Sequence, residues 1–122
     1  MRIFILVLLI CLTPFAAILN NPKVTTLSLT SPGTAEKLSS SEELTLSFII
    51  TASPTNTGRV YIGDSGVDQS TGNGIMLDPG DSVSFGGLTS NSVSTYDLSK
   101  FYFDAVNAGD KINVFYFERD FN

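Results

Sequence analysis

The run Gly63-Asp64-Ser65-Gly66 carries residue types that surround the nucleophile of some serine proteases. In that mechanism a histidine takes the proton from the serine hydroxyl before the oxygen attacks a carbonyl carbon. The sequence contains no histidine, so Ser65 has no imidazole base. Its 122 residues are also too few for the two barrels of such a protease. We therefore interpret this run as a chance match.

Metal and cofactor chemistry has equally little support in the composition. Without histidine, the lone Cys11 cannot complete a zinc site, which normally needs four nitrogen or sulfur ligands. The segment from Asp64 to Asp68 offers carboxylate oxygens, but its spacing differs from that of regular calcium loops. No phosphate-binding glycine motif is present. We expect neither a metal nor another cofactor.

The remaining candidates for chemistry are carboxylates. A pair of them could hydrolyse a glycosidic bond, with one as acid and the other as base or nucleophile. Most lie in or beside turns, where an aspartate side chain accepts hydrogen bonds from nearby backbone amides. These are Asp64, Asp68, Asp78, Asp81, Asp97, Asp104 and Asp110. We expect them to hold turns together, and we predict that the protein is not an enzyme.

The N-terminal segment of residues 3–19 has no charged side chain and follows Arg2. As a helix it would rise about 25 Å, slightly less than the roughly 30 Å hydrocarbon core of a bilayer. A membrane anchor is our preferred interpretation, while an apolar arm buried in a partner protein and a cleaved leader stay open. The side chains expected to make the contact are Ile5, Leu8, Leu9, Leu12 and Phe15. Residues 1–22 are thus assigned to this segment and residues 23–122 to a folded domain.

After Pro22 the hydrophobic pattern alternates with a period of two, which is typical of half-buried strands. Turn sequences such as Asp78-Pro79-Gly80-Asp81 separate the strands, and no later segment has helical periodicity. The predicted strands are Val24–Thr30, Leu44–Thr51, Arg59–Gly63, Ile75–Leu77, a strand through Val83 and Phe85, Leu98–Ala105 and Lys111–Glu118. We predict an all-β fold, a single antiparallel β-sandwich or jelly-roll-like domain preceded by the apolar segment.

The last two predicted strands carry aromatic residues on both faces. One face must pack in the core, and the other needs cover from a loop, from the second sheet or from another subunit. We favour another subunit, and predict contacts through Phe101, Phe103, Phe115 and Phe117. The loop from Asp64 to Asn73 is expected to form an exposed tip.

The net charge of −5 argues against a nucleic-acid partner. Binding to a phosphate backbone depends on clustered lysine and arginine side chains, and this sequence has no such cluster. We expect protein partners instead, including further copies of the chain, and a membrane contact through residues 3–19.

The order of several turn motifs resembles small β domains in bacteriophage virion proteins, such as head-decoration, fibre-associated and minor capsid components. The resemblance covers roughly residues 48–119 and includes the runs NTGRVYIGDSGVDQSTGNGIMLDPGDSVSF and DLSKFYFDAVNAGDKINVFYFER. The shared features are Val60-Tyr61-Ile62-Gly63, Gly74, Leu77, Pro79-Gly80, Ser82-Val83, Asp97-Leu98-Ser99 and Gly109-Asp110. The resemblance implies a non-catalytic module of a virus particle. The apolar N-terminal segment departs from the pattern.

These observations lead to two expectations of different class. The first is a non-enzymatic virion structural protein: a minor capsid, cement or decoration protein, or a small spike component. The second is a binding module of the bacterial cell surface, either secreted or anchored in the envelope and resembling an adhesin. The second is less favoured because tryptophan is absent and the long loops offer no aromatic side chain for stacking on sugars.

Overall fold

The computed structural model describes residues 19–86 and 95–120. In these residues, two four-stranded antiparallel sheets and a two-stranded sheet make up the fold. The predicted all-β antiparallel sandwich is therefore confirmed.

The first sheet has the strand order β1-β10-β4-β7 and the second has the order β2-β9-β5-β6. The strands of the first sheet are β1 (Leu19–Ser28), β4 (Ser47–Ala52), β7 (Ser82–Gly86) and β10 (Lys111–Asp120). Those of the second sheet are β2 (Glu36–Lys37), β5 (Val60–Gly63), β6 (Ile75–Leu77) and β9 (Tyr102–Ala105). The small sheet pairs β3 (Leu44–Thr45) with β8 (Tyr96–Asp97), and a 3₁₀ helix follows at Leu98–Lys100.

The core lies between the two large sheets, because strand alternation sends every second side chain inward. Its fully buried members, each at most 1% exposed, include Phe48, Ile50, Val60, Ile62, Phe103, Ile112 and Val114. Burial of an aliphatic or aromatic side chain of this kind stabilises a fold by about 1.5–3 kcal/mol. With no disulfide available from one cysteine, this packing holds the described domain together.

The predicted strand Leu44–Thr51 is divided in the structure into β3 and β4. Thr45 is fully buried, and its hydroxyl donates to the carbonyl oxygen of Ser47 at 2.8 Å. This local bond draws the chain out of a regular ladder at Leu46. As a result Leu44 is 41% exposed and pairs with Asp97 in the small sheet.

The predicted strand Leu98–Ala105 is shorter than expected, because its first three residues form the 3₁₀ helix. The carboxylate of Asp97 accepts hydrogen bonds from the Ser99 amide at 3.0 Å and from the Glu43 amide at 3.2 Å. A capping aspartate of this kind favours a helical turn over an extended strand. The strand β9 therefore begins at Tyr102.

Of the predicted N-terminal segment, the structure describes only the last few residues. Strand β1 begins at Leu19, inside the segment that the sequence pattern assigned to residues 1–22. Ile5, Leu8, Leu9, Leu12 and Phe15 lie outside the described residues. Within residues 19–86 and 95–120, no helix has the length and apolar character needed to cross a membrane.

Candidate functional site

Two of the four predicted contact residues lie inside the domain. Phe103 is 0% exposed and belongs to the core, so it is not accessible to a neighbouring subunit. Phe101 is half-buried, and its ring lies edge-on to Phe48 and Phe85 at centroid distances of 4.8 and 5.4 Å. The domain itself covers both rings, and only Phe103 belongs to a strand, β9.

The other two, Phe115 and Phe117, lie on the outward side of β10. Their rings contact each other edge-to-face at a centroid distance of 5.4 Å. Tyr116, between them in sequence, points inward and is only 7% exposed. Phe117 keeps 40% of its surface exposed. The alternation along β10 thus places both phenylalanines outside the sandwich.

Apolar side chains of the neighbouring strands extend this patch. The strand register puts Val24 of β1 on one side of Phe115 and Ile49 of β4 on the other, with Pro22 opposite Phe117. Val24 is 65% exposed and Ile49 is 39% exposed. We call these five residues the apolar face.

Sequence reasoning identified only part of the apolar face. The alternation that turns Leu27 inward also turns Val24 outward, so the signal for Val24 was present. Ile49 was harder to recognise, because it precedes the inward-facing Ile50 in a continuous apolar stretch. Such a stretch does not indicate which side is exposed.

The surroundings of the apolar face are polar but uncharged. From Asn113 to Phe117 of β10, and at the positions of β1, β4 and β7 beside them, no described residue on the outward side of this sheet carries a charge. The exposed Lys111 lies on the same side, at the end of β10. Thr26 donates to the side-chain oxygen of Asn113 at 2.7 Å, and the hydroxyls of Thr51 and Ser82 lie 2.7 Å apart. Because these neutral side chains are hydrogen-bonded to one another, removing them from water costs little free energy.

The ribbon formed by β1 and β10 is polar on its other side at the same end. Lys23 pairs there with Glu118 at 2.9 Å, and the carboxylate raises the pKa of the Lys23 ammonium through a hydrogen bond and its charge. If both sides of the ribbon were exposed to water, burial would not favour apolar residues on one side over the other. Their concentration on the outward side makes the apolar face the candidate contact surface among the described residues.

The β1 edge of the first sheet is protected against strand addition. The Leu29 amide donates to the Asp110 carbonyl at 2.9 Å. Because amides alternate in direction along an antiparallel strand, the even-numbered residues of β1 direct theirs to the free edge. Pro22 has no amide to offer there, and Lys23 adds a charge. Both features discourage pairing with a further strand.

We compared the chain with family models, with curated proteins and with solved structures. No match was found. The apolar face and the side-chain contacts around it therefore carry the functional argument.

The predicted loop tip from Asp64 to Asn73 is mostly exposed, and its polar groups bond one another. Asp64 accepts from the Gly66 amide at 2.9 Å, and Asn73 donates to the Gly66 carbonyl at 2.7 Å. The hydroxyl and amide of Ser70 donate to Asp68 and lower the pKa of its carboxyl group. Among the described residues no three acidic or cysteine side chains are grouped to hold a metal ion.

The two buried carboxylates also serve the backbone. Asp104 is fully buried, and it accepts from the amides of Gly33 at 3.0 Å, Gln69 at 2.8 Å and its neighbour Ala105 at 2.8 Å. Asp110 accepts from the amides of Thr57 and Gly58, each at 3.0 Å. Both carboxylates thus join loops that are distant in sequence, and their oxygens are already engaged.

A cleft of about 290 Å³ opens between the edges of β6 and β7. Its lining is largely apolar and includes Ile62, Ile75 and Phe85. The polar side chains that border it, Asp64 and Asn73, are bonded to Gly66 within their own loop. A ligand site normally needs a few free polar groups to orient its ligand, so this cleft is a weaker candidate than the apolar face.

Proposed function

We propose that this chain is a non-enzymatic structural protein of a virus particle, held in place through the apolar face. The observation that carries the proposal is the outward exposure of Phe117, Val24 and Ile49, whose immediate neighbours on the same side of the sheet are uncharged. A side of this kind loses little on leaving water and gains from covering apolar area.

The assignment to a virus particle is supported by the resemblance of residues 48–119 to bacteriophage decoration and minor capsid domains. The use of the aspartates supports a non-catalytic role. Asp64, Asp68, Asp104 and Asp110 all accept backbone hydrogen bonds, so none is held free beside a second carboxylate. A decoration, cement or minor capsid protein needs surfaces of this sort and no reaction chemistry.

The membrane contact belongs to the same proposal and rests on the sequence. Residues 3–19 are uncharged, and β1 follows directly at Leu19. An anchor or arm would therefore leave the domain at the end of the ribbon that carries Pro22 and Phe117. Tether and apolar face would then act at the same end of the molecule.

Mass spectrometry of density-gradient-purified particles tests the proposal. We expect peptides from residues 19–120 to sediment with the major capsid protein at a constant ratio across the particle peak. Recovery of the chain only in the cell envelope or the culture medium would reject a virion role and favour the cell-surface alternative. A parallel gradient of lysate without particles is the control for sedimentation of aggregates.

A further inference from the structure

We infer that the open edge of β7 and the cleft beside it bind an extended segment of a partner protein, in which basic residues flank an apolar one. The segment adds antiparallel to β7 as a further strand of the first sheet. This site lies at the opposite edge of the sheet from β1 and shares no residue with the apolar face. The inference goes beyond the proposed function and does not rest on it.

The backbone of β7 directs hydrogen-bonding groups to an open side. The Ala52 amide donates to the Asp81 carbonyl at 2.8 Å, and amides alternate in direction along an antiparallel strand. Ser82, Ser84 and Gly86 therefore direct their amide and carbonyl groups away from β4, and among the described residues no strand pairs with them. Unlike β1, this strand contains neither proline nor a charged residue. A further polypeptide strand is the ligand that matches such a row of groups.

The cleft between β6 and β7 gives the added strand a place for one apolar side chain. Ile75 lies opposite Ile62 in the strand register and lines the cleft, yet it is 43% exposed while Ile62 is 1% exposed. Phe85, on the inward side of β7, lines the same cleft. Because Phe85 bonds β4, a residue opposite it on an added strand forms the closer, non-hydrogen-bonded type of pair and directs its side chain into the cleft. An apolar side chain there covers Ile75.

The cleft and the strand edge each supply what the other lacks. The polar side chains at the cleft, Asp64 and Asn73, are bonded within their own loop, so they do not orient a ligand. The backbone of β7 provides the orienting hydrogen bonds, and the cleft provides the apolar burial. A binding site for a short segment needs both.

Charge selects a basic segment. Asp81 directly precedes β7, and Asp64 borders the cleft that Phe85 lines near the other end of the strand. Neither carboxylate takes part in an ion pair among the described residues, and the whole chain carries a net charge of −5. Basic residues on both sides of the apolar one are therefore attracted to this edge, whereas an acidic segment is repelled.

Basic side chains of the neighbouring elements are engaged with other carboxylates. Arg59, just before β5, pairs with Asp78 at 2.7 Å. Lys100, in the 3₁₀ helix, lies close enough to Asp97 for their charges to interact. Their positive charges are thus directed to these partners rather than to the edge of β7.

The same charges disfavour a second copy of the chain at this site. In an antiparallel pair of β7 strands, Asp81 of each copy lies toward the Gly86 end of the other, where Asp64 already places a negative charge. Like charges brought together in this way weaken an interface. A basic segment of a different protein meets no such repulsion.

An NMR titration of the full chain in one non-ionic detergent tests the inference. The probe is a synthetic peptide blocked at both ends, Lys-Thr-Thr-Leu-Thr-Thr-Lys. We expect it to shift the amide signals of Ser82, Ser84 and Gly86 and to slow their hydrogen exchange, with a Kd of about 1 mM or below. Replacing both lysines by glutamate, or N-methylating the central three residues, should weaken binding about tenfold or more.

Ser84→Pro removes one outward amide and leaves the bonds to β4 in place, so it should also weaken binding about tenfold or more. Ser84→Thr keeps the amide, is the matched control and should bind like the wild type. Ile75→Lys, which places a charge in the cleft, replaces Ser84→Pro if thermal melting shows that the latter does not fold.

Amides of β7 that do not respond to millimolar probe, equal binding of the N-methylated peptide, or wild-type binding by Ser84→Pro overturns the inference. Slow exchange of the three amides in the chain alone also overturns it, because another part of the chain or a second copy then occupies the edge. Detection in purified particles is a separate measurement, so failure of the titration leaves the proposed function untouched.

Discussion

At the scale of single residues, the domain uses buried carboxylates to join its loops. The Asp104 carboxylate accepts hydrogen bonds from the backbone amides of Gly33 and Gln69, which are far apart in sequence. These amide donors sustain its burial, since a buried carboxylate oxygen is costly unless it accepts hydrogen bonds. Removing the charge should therefore loosen two loops together.

Asp104→Asn should lower the free energy of unfolding by about 2–4 kcal/mol. The amide has nearly the same volume, but its NH₂ group would face a backbone N–H donor and leave it unsatisfied. Urea denaturation measures the change. Asp64→Asn, at an exposed aspartate that accepts a single local amide bond, is the control and should change stability far less. Equal losses in both variants would contradict the role of Asp104 as a loop clamp.

Asp97 should make the domain less stable in acid. The Ser99 hydroxyl, with the amides of Ser99 and Glu43, lowers the pKa of the Asp97 carboxyl group in the folded chain. The unfolded chain then binds the proton more readily, so this contribution is complete above about pH 4 and is lost as the pH falls through the folded-state pKa. Thermal melting between pH 5 and pH 2 measures the loss. Asp97→Asn should show a smaller acid dependence than wild type; an identical dependence would contradict the assignment.

At the scale of elements, the junction of β4 and β7 depends on a glycine. Gly86 has a φ of 102°, and a Cβ there would meet the backbone oxygen of Leu46 and lie 2.8 Å from the Cα atom of Ser47. Strand β7 ends at this residue beside the start of β4. The first sheet thus keeps its register only if no side chain stands between the two strands.

Gly86→Ala should lower the free energy of unfolding by about 2–4 kcal/mol, because the positive φ and the backbone clash add together. Gly33→Ala is the matched control. Gly33 has a φ of 83°, and a Cβ there would meet nothing within 4 Å. The stability loss in Gly33→Ala should therefore come from the positive φ alone. Urea denaturation of both variants separates the two effects. A loss at Gly33 as large as that at Gly86 would show that contact with Leu46 is unimportant.

The elements that the sequence predicted well are those with clear alternation and turn chemistry. β6, β7 and β10 lie where the pattern placed them, since Pro79-Gly80 and Gly109-Asp110 delimit them. The division between β3 and β4 and the 3₁₀ helix could not be predicted, because each depends on a side chain that bonds the backbone: Thr45 to Ser47 and Asp97 to Ser99. Such bonds compete with strand pairing, and the apolar pattern does not reveal them.

At the scale of the whole molecule, the candidate site was predicted only in part. An aromatic run on β10 indicated a two-sided strand, and Phe115 and Phe117 do point outward. Val24 and Ile49 join them through β1 and β4, and these neighbours are set by strand order. Strand order depends on pairing between distant segments, which one sequence does not specify. For the same reason Phe101 and Phe103 could not be told apart from the exposed rings.

Phe117→Asp should separate assembly from folding. The ring is 40% exposed and contacts Phe115, so the domain should lose only about 1 kcal/mol of stability with that aromatic pair. Assembly should weaken much more, because the substitution would place a charge on the apolar face, where a contact would remove it from water. Urea denaturation and retention on particles measure the two quantities. A variant retained on particles like wild type would exclude Phe117 from the contact.

Hydroxyl-radical footprinting of the chain in purified particles, compared with the dissociated chain, tests most directly whether the outward side of the first sheet is covered in the assembly. We predict that labelling of Phe117 and Ile49 drops strongly in the particle, while labelling of Met76, on the second sheet, changes little. Labelling of Phe117 and Ile49 that is equal in the two states would contradict the account.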